Sequence, residues 1–185
     1  MITKPKAAIV MKVGPHSDMT LEDIIKSKQE EELKHGVHYW GYSGVFCQPQ
    51  PTQTFCKWAK NKFGENPSII LVETKSPYNS PIGYIKQYST DNKVYVPFQA
   101  PVQLQGAQFS FVAKDLMPLE SFAPAAYCVY GGKNNGKILT EHLRFRVNKS
   151  FAILNTTAHT DEEDLVQTNV LIATLVEPYA IWLKE

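Results

Sequence analysis

Arginine is nearly missing from this chain. Of its nineteen basic residues seventeen are Lys, and the two Arg, Arg144 and Arg146, stand two positions apart. Net charge is nearly missing too, at +1, so no overall field draws bulk nucleic acid or an anionic membrane surface. No stretch approaches the ~18 apolar residues of a membrane span, and the apolar part of MITKPKAAIVMKVG is too short for a signal-peptide core. Cys47, Cys56 and Cys128 form an odd set without framework spacing. That argues against a disulfide scaffold and for free thiols in a reducing, cytoplasmic compartment. There is no CxxC or HxxxH pair among the three Cys and five His, so neither a metal nor a cofactor is expected.

What is present is an ordinary globular composition, 43% hydrophobic and 20% charged over 185 residues, enough for one domain with its own core. AAIVMKVG (7–14) reads as a first strand closed by Gly-Pro. Thr20 and Asp23 carry a capping-box pattern for a helix that ends at Gly36, with Leu21, Ile24, Ile25 and Leu33 on one face. VHYWGYSGVF reads as extended, and Thr52 as the N-cap of a second helix ending at Gly64. SIILVET (68–74) is a β-branched strand, SPYNSP a turn, and IGYIKQYS, VYVPFQA, VQLQGAQFSFVA and AAYCVY further strands, with a bulge or bend at Gly106. EHLRFRVNKSFAIL reads as mostly extended, and the chain closes on a strand with a terminal strand or helix turn. The expected fold is a single α+β domain over residues 1–185: a largely antiparallel mixed sheet with two helices near the N-terminal end.

Several motifs invite a chemical reading. Gly131–Lys137, GGKNNGK, matches GxxxxGK after a strand, but Ile138 stands where a phosphate loop needs Ser or Thr. Asn134-Asn135-Gly136 is good turn chemistry, so a hairpin loop is expected there. Cys47 is the best thiol nucleophile, because a following helix N-terminus would lower its pKa. The other reading of a Cys in such a segment is a small buried hydrophobe. The acidic run Asp161–Asp164 lacks the spacing of a calcium loop.

Two features point instead to a ligand. Alternation along Leu143-Arg144-Phe145-Arg146-Val147 would put both guanidinium groups on one strand face, and Arg offers phosphate a planar two-pronged contact that Lys does not. The alternative is a solvent-facing strand paired with acidic neighbours. HYWGYSGVFCQPQP (38–51) places Tyr39, Trp40 and Tyr42 beside a Gly41–Gly44 turn and a helix start. That combination suits stacking on a flat ring, with Ser43, Gly44 and Lys12 meeting phosphate or its neighbours. The alternative is that Trp40 and Tyr42 are core and the glycines allow tight packing.

The stretches KVGPHSDMTLEDIIKSK and YWGYSGVFCQP resemble a group of small bacterial and phage proteins. Their pattern runs from a KVG-H strand through a T-x-x-x-I-I-x-x-K helix to WGYxGxxCxP. Where this sequence has Gln48, that pattern often has His. The resemblance spans about the first third of the chain and implies a setting, a phage accessory gene acting in a bacterial cell, without an activity. Small phage proteins that sequester the nucleotide signals of host defence are one kind this setting suits. The expectation is therefore non-enzymatic binding of a small phosphorylated, nucleotide-like ligand at Lys12, Tyr39, Trp40, Tyr42, Ser43, Gly44, Arg144 and Arg146. A homo-oligomer with sites shared between chains fits the same expectation. The rivals are an enzyme with Cys47 or a His as reactive group in the same cleft, and a module that docks on a host protein.

Overall fold

The computed structural model describes residues 4–14, 19–74, 82–144 and 147–185. The turn expected at SPYNSP and one of the paired arginines, Arg146, lie outside the described residues. In chain order the elements are β1 (Ala7–Val13), α1 (Leu21–His35), β2 (His38–Tyr42), α2 (Pro49–Phe63), β3 (Ser68–Glu73), β4 (Ile82–Ser89), β5 (Val96–Gln105), β6 (Phe109–Pro118), β7 (Tyr127–Val129), α3 (Leu139–Leu143), β8 (Lys149–Leu154) and β9 (Val170–Lys184). The strands form one sheet ordered β2-β6-β9-β3-β1-β8-β7, with β4 pairing both β9 and β5. Among the described residues only β1 and β3 run parallel; every other pairing is antiparallel. This is an α+β fold, with its two long helices near the N-terminal end.

Local chemistry explains the helix ends. Thr20 and Asp23 close a reciprocal capping box, Asp23 N–H donating to Thr20 Oγ1 at 3.2 Å and Thr20 N–H to Asp23 Oδ2 at 2.9 Å. Gly36 and Gly64 end the two helices in the left-handed region that favours glycine, at φ 73° and 75°. The start of α2 differs from expectation. It begins at Pro49, with Gln48 as N-cap, and Thr52 lies buried inside the first turn, its hydroxyl donating to Cys47 O at 2.7 Å. Pro49 and Pro51 set helical φ angles ahead of Thr52.

Strand alternation sorts the core. Ile9, Met11, Ile69, Leu71, Leu171, Ala173 and Leu175 face one way, covered by α2 residues Phe55, Cys56 and Ala59 and by Leu21, Ile24 and Ile25 of α1. Leu33, expected on that stripe, is 87% exposed. The opposite face, with Ala8, Val10, Ile70, Ala152 and Ile172, is covered by Phe122, Ala126, Leu139 and Leu143. Leu139 and Leu143, four residues apart, are the reason this segment is a helical turn: i and i+4 share a helix face, and both side chains fill that core. The extended reading of EHL (141–143) is thereby overturned. A third cluster, Tyr39, Ile85, Phe98, Val102, Leu104, Val112 and Ile181, packs the β4–β5 hairpin against β2, β6 and β9.

β9 is one strand of 15 residues that exchanges partners along its length, with β3 at 170–174 and β4 at 182–184. Register shifts at Phe111/Ala113 and Lys114/Met117 of β6, and left-handed Asp115 and Tyr179, mark bulges of the kind that bend strands. Gly106, expected as a bulge within a strand, lies between β5 and β6. Gly41 lies where β2 meets the 104–107 segment: a Cβ there would stand 2.7 Å from Ala107 Cβ and 3.3 Å from Leu104 Cβ. Gly41→Ala is expected to cost about 1–3 kcal/mol of stability by overpacking. Urea unfolding checks this, and an unchanged midpoint would show that the contact yields freely.

Candidate functional site

The structure separates the aromatic residues expected to stack on a ligand. Trp40 and Tyr42 face the helix-covered core, whereas Tyr39 faces the β4–β5 side against Phe98, 5.2 Å away in an edge contact. All three are at least nine-tenths buried. Tyr42 stacks on Phe111 at 4.1 Å, and its hydroxyl donates to Cys47 O at 2.6 Å. The three rings therefore form no common platform.

The helix start beside them is also a poor anion nest. With proline at 49 and 51, Gln50 is the only residue of the first three helical positions with an N–H. The next amide, Thr52 N–H, is already bonded to Gln48 O at 3.0 Å. Cys47 is mis-set for nucleophilic work: burial pushes its thiol up to about 12, against the opposing pull of Lys149. The lowering expected from the helix dipole is overwhelmed by desolvation. All three cysteines are free.

Arg144 is exposed and caps the C-terminus of α3, so it does not lie on a strand face as expected. Lys12 reaches the same place: its Nζ donates to Leu143 O, and burial lowers its pKa. His142, nine-tenths buried one residue earlier, is held below the ordinary imidazole range by burial and then by the positive charges of Lys137 and Lys12. Lys12, His142 and Arg144 thus gather at the carboxyl end of β1.

On the other face of the sheet at this end of β1, the residue that ties down Ser43 is Lys149. It stands opposite Met11 on β8 and is 8% exposed. Its ammonium donates to Ser43 O at 3.0 Å and lies 5.3 Å above the Tyr42 ring. Desolvation lowers its pKa. No carboxylate among the described residues comes within 4.0 Å of Lys149 or Arg144. An ammonium has three donors, and one hydrogen bond leaves two of them open in a place where charge is costly. Sequence reading passed over Lys149 as one lysine of seventeen. The available signal was phase: Lys149, Phe151 and Ile153 alternate on one strand face.

Elsewhere the chemistry is of the wrong sign or absent. An open cavity of about 640 Å³ between α1 and β6 is lined by Gln29, Glu32, Leu33, Gly36, Asp115 and Leu116, and its two carboxylates suit no anion. Among the described residues no group of three or more His, Cys, Asp or Glu is arranged to hold a metal ion. Gly131–Lys137 is a loop, with Asn135 Oδ1 accepting from Gly131 N–H at 2.7 Å. No described helix is long and apolar enough to cross a membrane. No protein-family model, curated protein or solved structure matches this chain.

Proposed function

We propose that this protein binds a small phosphorylated, nucleotide-like ligand without transforming it, and that Lys149 anchors the anion. The observation that carries the reading is a lysine only 8% exposed whose ammonium makes one hydrogen bond, to Ser43 O, and has no carboxylate partner among the described residues. Exposed Gly44 borders the site beside Ser43, whereas Lys12 and Arg144, at the same end of β1, stand on the opposite face of the sheet. Sequestration of a nucleotide signal, in the phage counter-defence setting that the sequence resemblance implies, is the role this binding would serve.

Lys149→Met keeps the aliphatic stem and removes the charge. It is expected to reduce ligand affinity roughly 10- to 150-fold, the worth of a hydrogen bond to a charged group. Stability should hold or rise, because a desolvated, half-satisfied charge disappears. Native mass spectrometry after incubation in a nucleotide-rich extract reads the retained ligand and the number of chains per assembly. Calorimetric titration of wild type and variant then gives the affinity ratio. Unchanged affinity together with lost stability would make Lys149 structural and sink the reading.

A further inference from the structure

We infer that Phe46 is the surface on which the ligand's flat ring stacks, so that the site selects a nucleobase-bearing phosphate over a plain sugar phosphate. This rests on the reading of Lys149 as the anion anchor. The buried rings of β2 do not serve the purpose, since Tyr39, Trp40 and Tyr42 already pack in two different cores. Phe46 is 49% exposed, and among the described residues its ring meets no other aromatic ring.

Its loop is nevertheless held at both ends. Ser43 O is taken by the Lys149 ammonium, and Cys47 O accepts from both Tyr42 Oη and Thr52 Oγ1. Cys47 itself sits at φ 57°, a left-handed conformation that a side-chain-bearing residue keeps only where its surroundings impose it. A bare aromatic face is thus fixed three residues from the carbonyl that receives the buried ammonium. Three residues of chain span at most about 11 Å, a separation of the order that a mononucleotide bridges between base and phosphate. An aromatic ring on a pinned loop, close to a positive charge, is the pairing that recognises a base and its phosphate together.

The test compares adenosine monophosphate with ribose 5-phosphate by calorimetry, on wild type, Phe46→Ala and Phe46→Trp. Wild type is expected to prefer adenosine monophosphate roughly 5- to 150-fold, the range that one stacked base supplies. Phe46→Ala should erase that preference while leaving the ribose 5-phosphate affinity and the unfolding midpoint unchanged, and Phe46→Trp should keep it. Equal affinity of wild type for the two probes, or an adenosine monophosphate affinity that Phe46→Ala does not move, would overturn the stacking role and leave Lys149 as anchor. Failure of wild type to bind either probe would overturn both.

Discussion

Glu31→Ala is expected to cost about 3–5 kcal/mol of folding stability, the range for removing one partner of a buried charge pair. The pair in question closes the free edge of the sheet. Among the described residues β2 is the last strand on its side, so Tyr39 has no neighbouring strand there to bond with on the side away from β6. Two side chains of α1 take that place. Tyr39 N–H donates to Glu31 Oε1 at 2.5 Å, and Lys28 Nζ donates to Tyr39 O. Lys28 and Glu31 also meet each other at 3.3 Å, with side chains only 13% and 15% exposed, and the ammonium lies 5.1 Å from the Trp40 ring centre.

Glu31→Ala would orphan the Tyr39 amide and leave a desolvated ammonium, whose pKa burial already lowers. Lys28→Met/Glu31→Gln is the control. It removes both charges and keeps an amide oxygen for Tyr39 N–H, so it should cost clearly less than Glu31→Ala. Guanidinium unfolding gives both values, and hydrogen exchange at Tyr39 reads the edge directly. A loss under about 1 kcal/mol for Glu31→Ala would place the pair with ordinary surface ion pairs. An edge capped by ionic side chains is also a way to discourage pairing with a second chain, so the same variant should aggregate more readily.

The parts of this fold that are local were legible in the residues. The Thr20–Asp23 box, the glycines after both long helices, and the β-branched runs of β1 and β3 each determine their own conformation from a few neighbours. What depended on distant contacts was not. EHL reads as part of the extended segment that follows it, and burial of Leu139 and Leu143 in one cluster with Tyr127 and Val129 makes it a helical turn. Thr52 has the chemistry of an N-cap, but two prolines start the helix ahead of it.

The candidate site shows the same division. Ser43 was readable as a polar residue at the end of an extended segment. Lys149 became notable only once β8 was paired with β1 and the 42–47 segment had folded over it. The stripe of α1 carries a similar lesson. Leu21, Ile24 and Ile25 continue in helical phase as Lys28 and Glu31, so ionic residues occupy positions that the apolar pattern assigns to the interior. Charged residues in phase with an apolar stripe were the overlooked signal at both places.

The acid limb of the stability curve should be governed by His38. This imidazole is fully buried on β2, edge-on to Trp40 at 6.1 Å, and among the described residues neither ring nitrogen has a hydrogen-bond partner. Desolvation first, and the nearby Lys28 ammonium second, lower its pKa to about 3 from the ordinary 6.5. Glu32 Oε2 stands 3.9 Å from Nε2, too far for a hydrogen bond, and its carboxylate is turned to the Asp115 amide at 3.1 Å. The ring is therefore neutral at pH 7 and the contact is no ion pair there. Because the unfolded chain takes up this proton near pH 6.5 and the folded chain does not, stability rises with pH across the window from about 3 to 6.5. It is full above that window and falls on acidification, by about 3 kcal/mol at pH 4.5 from this one group. His142, also lowered, adds a loss of the same sign. The hydrogen-bonded carboxylates Asp23 and Asp91 act in a separate window, below 3.8. His38→Leu, close in volume and without a proton to gain, should match or exceed wild type at pH 7.5 and exceed it by about 3 kcal/mol more at pH 4.5. Urea midpoints at the two pH values measure the difference. Parallel acid limbs in the two proteins would mean that His38 is reached by solvent or protonated against Glu32 when folded.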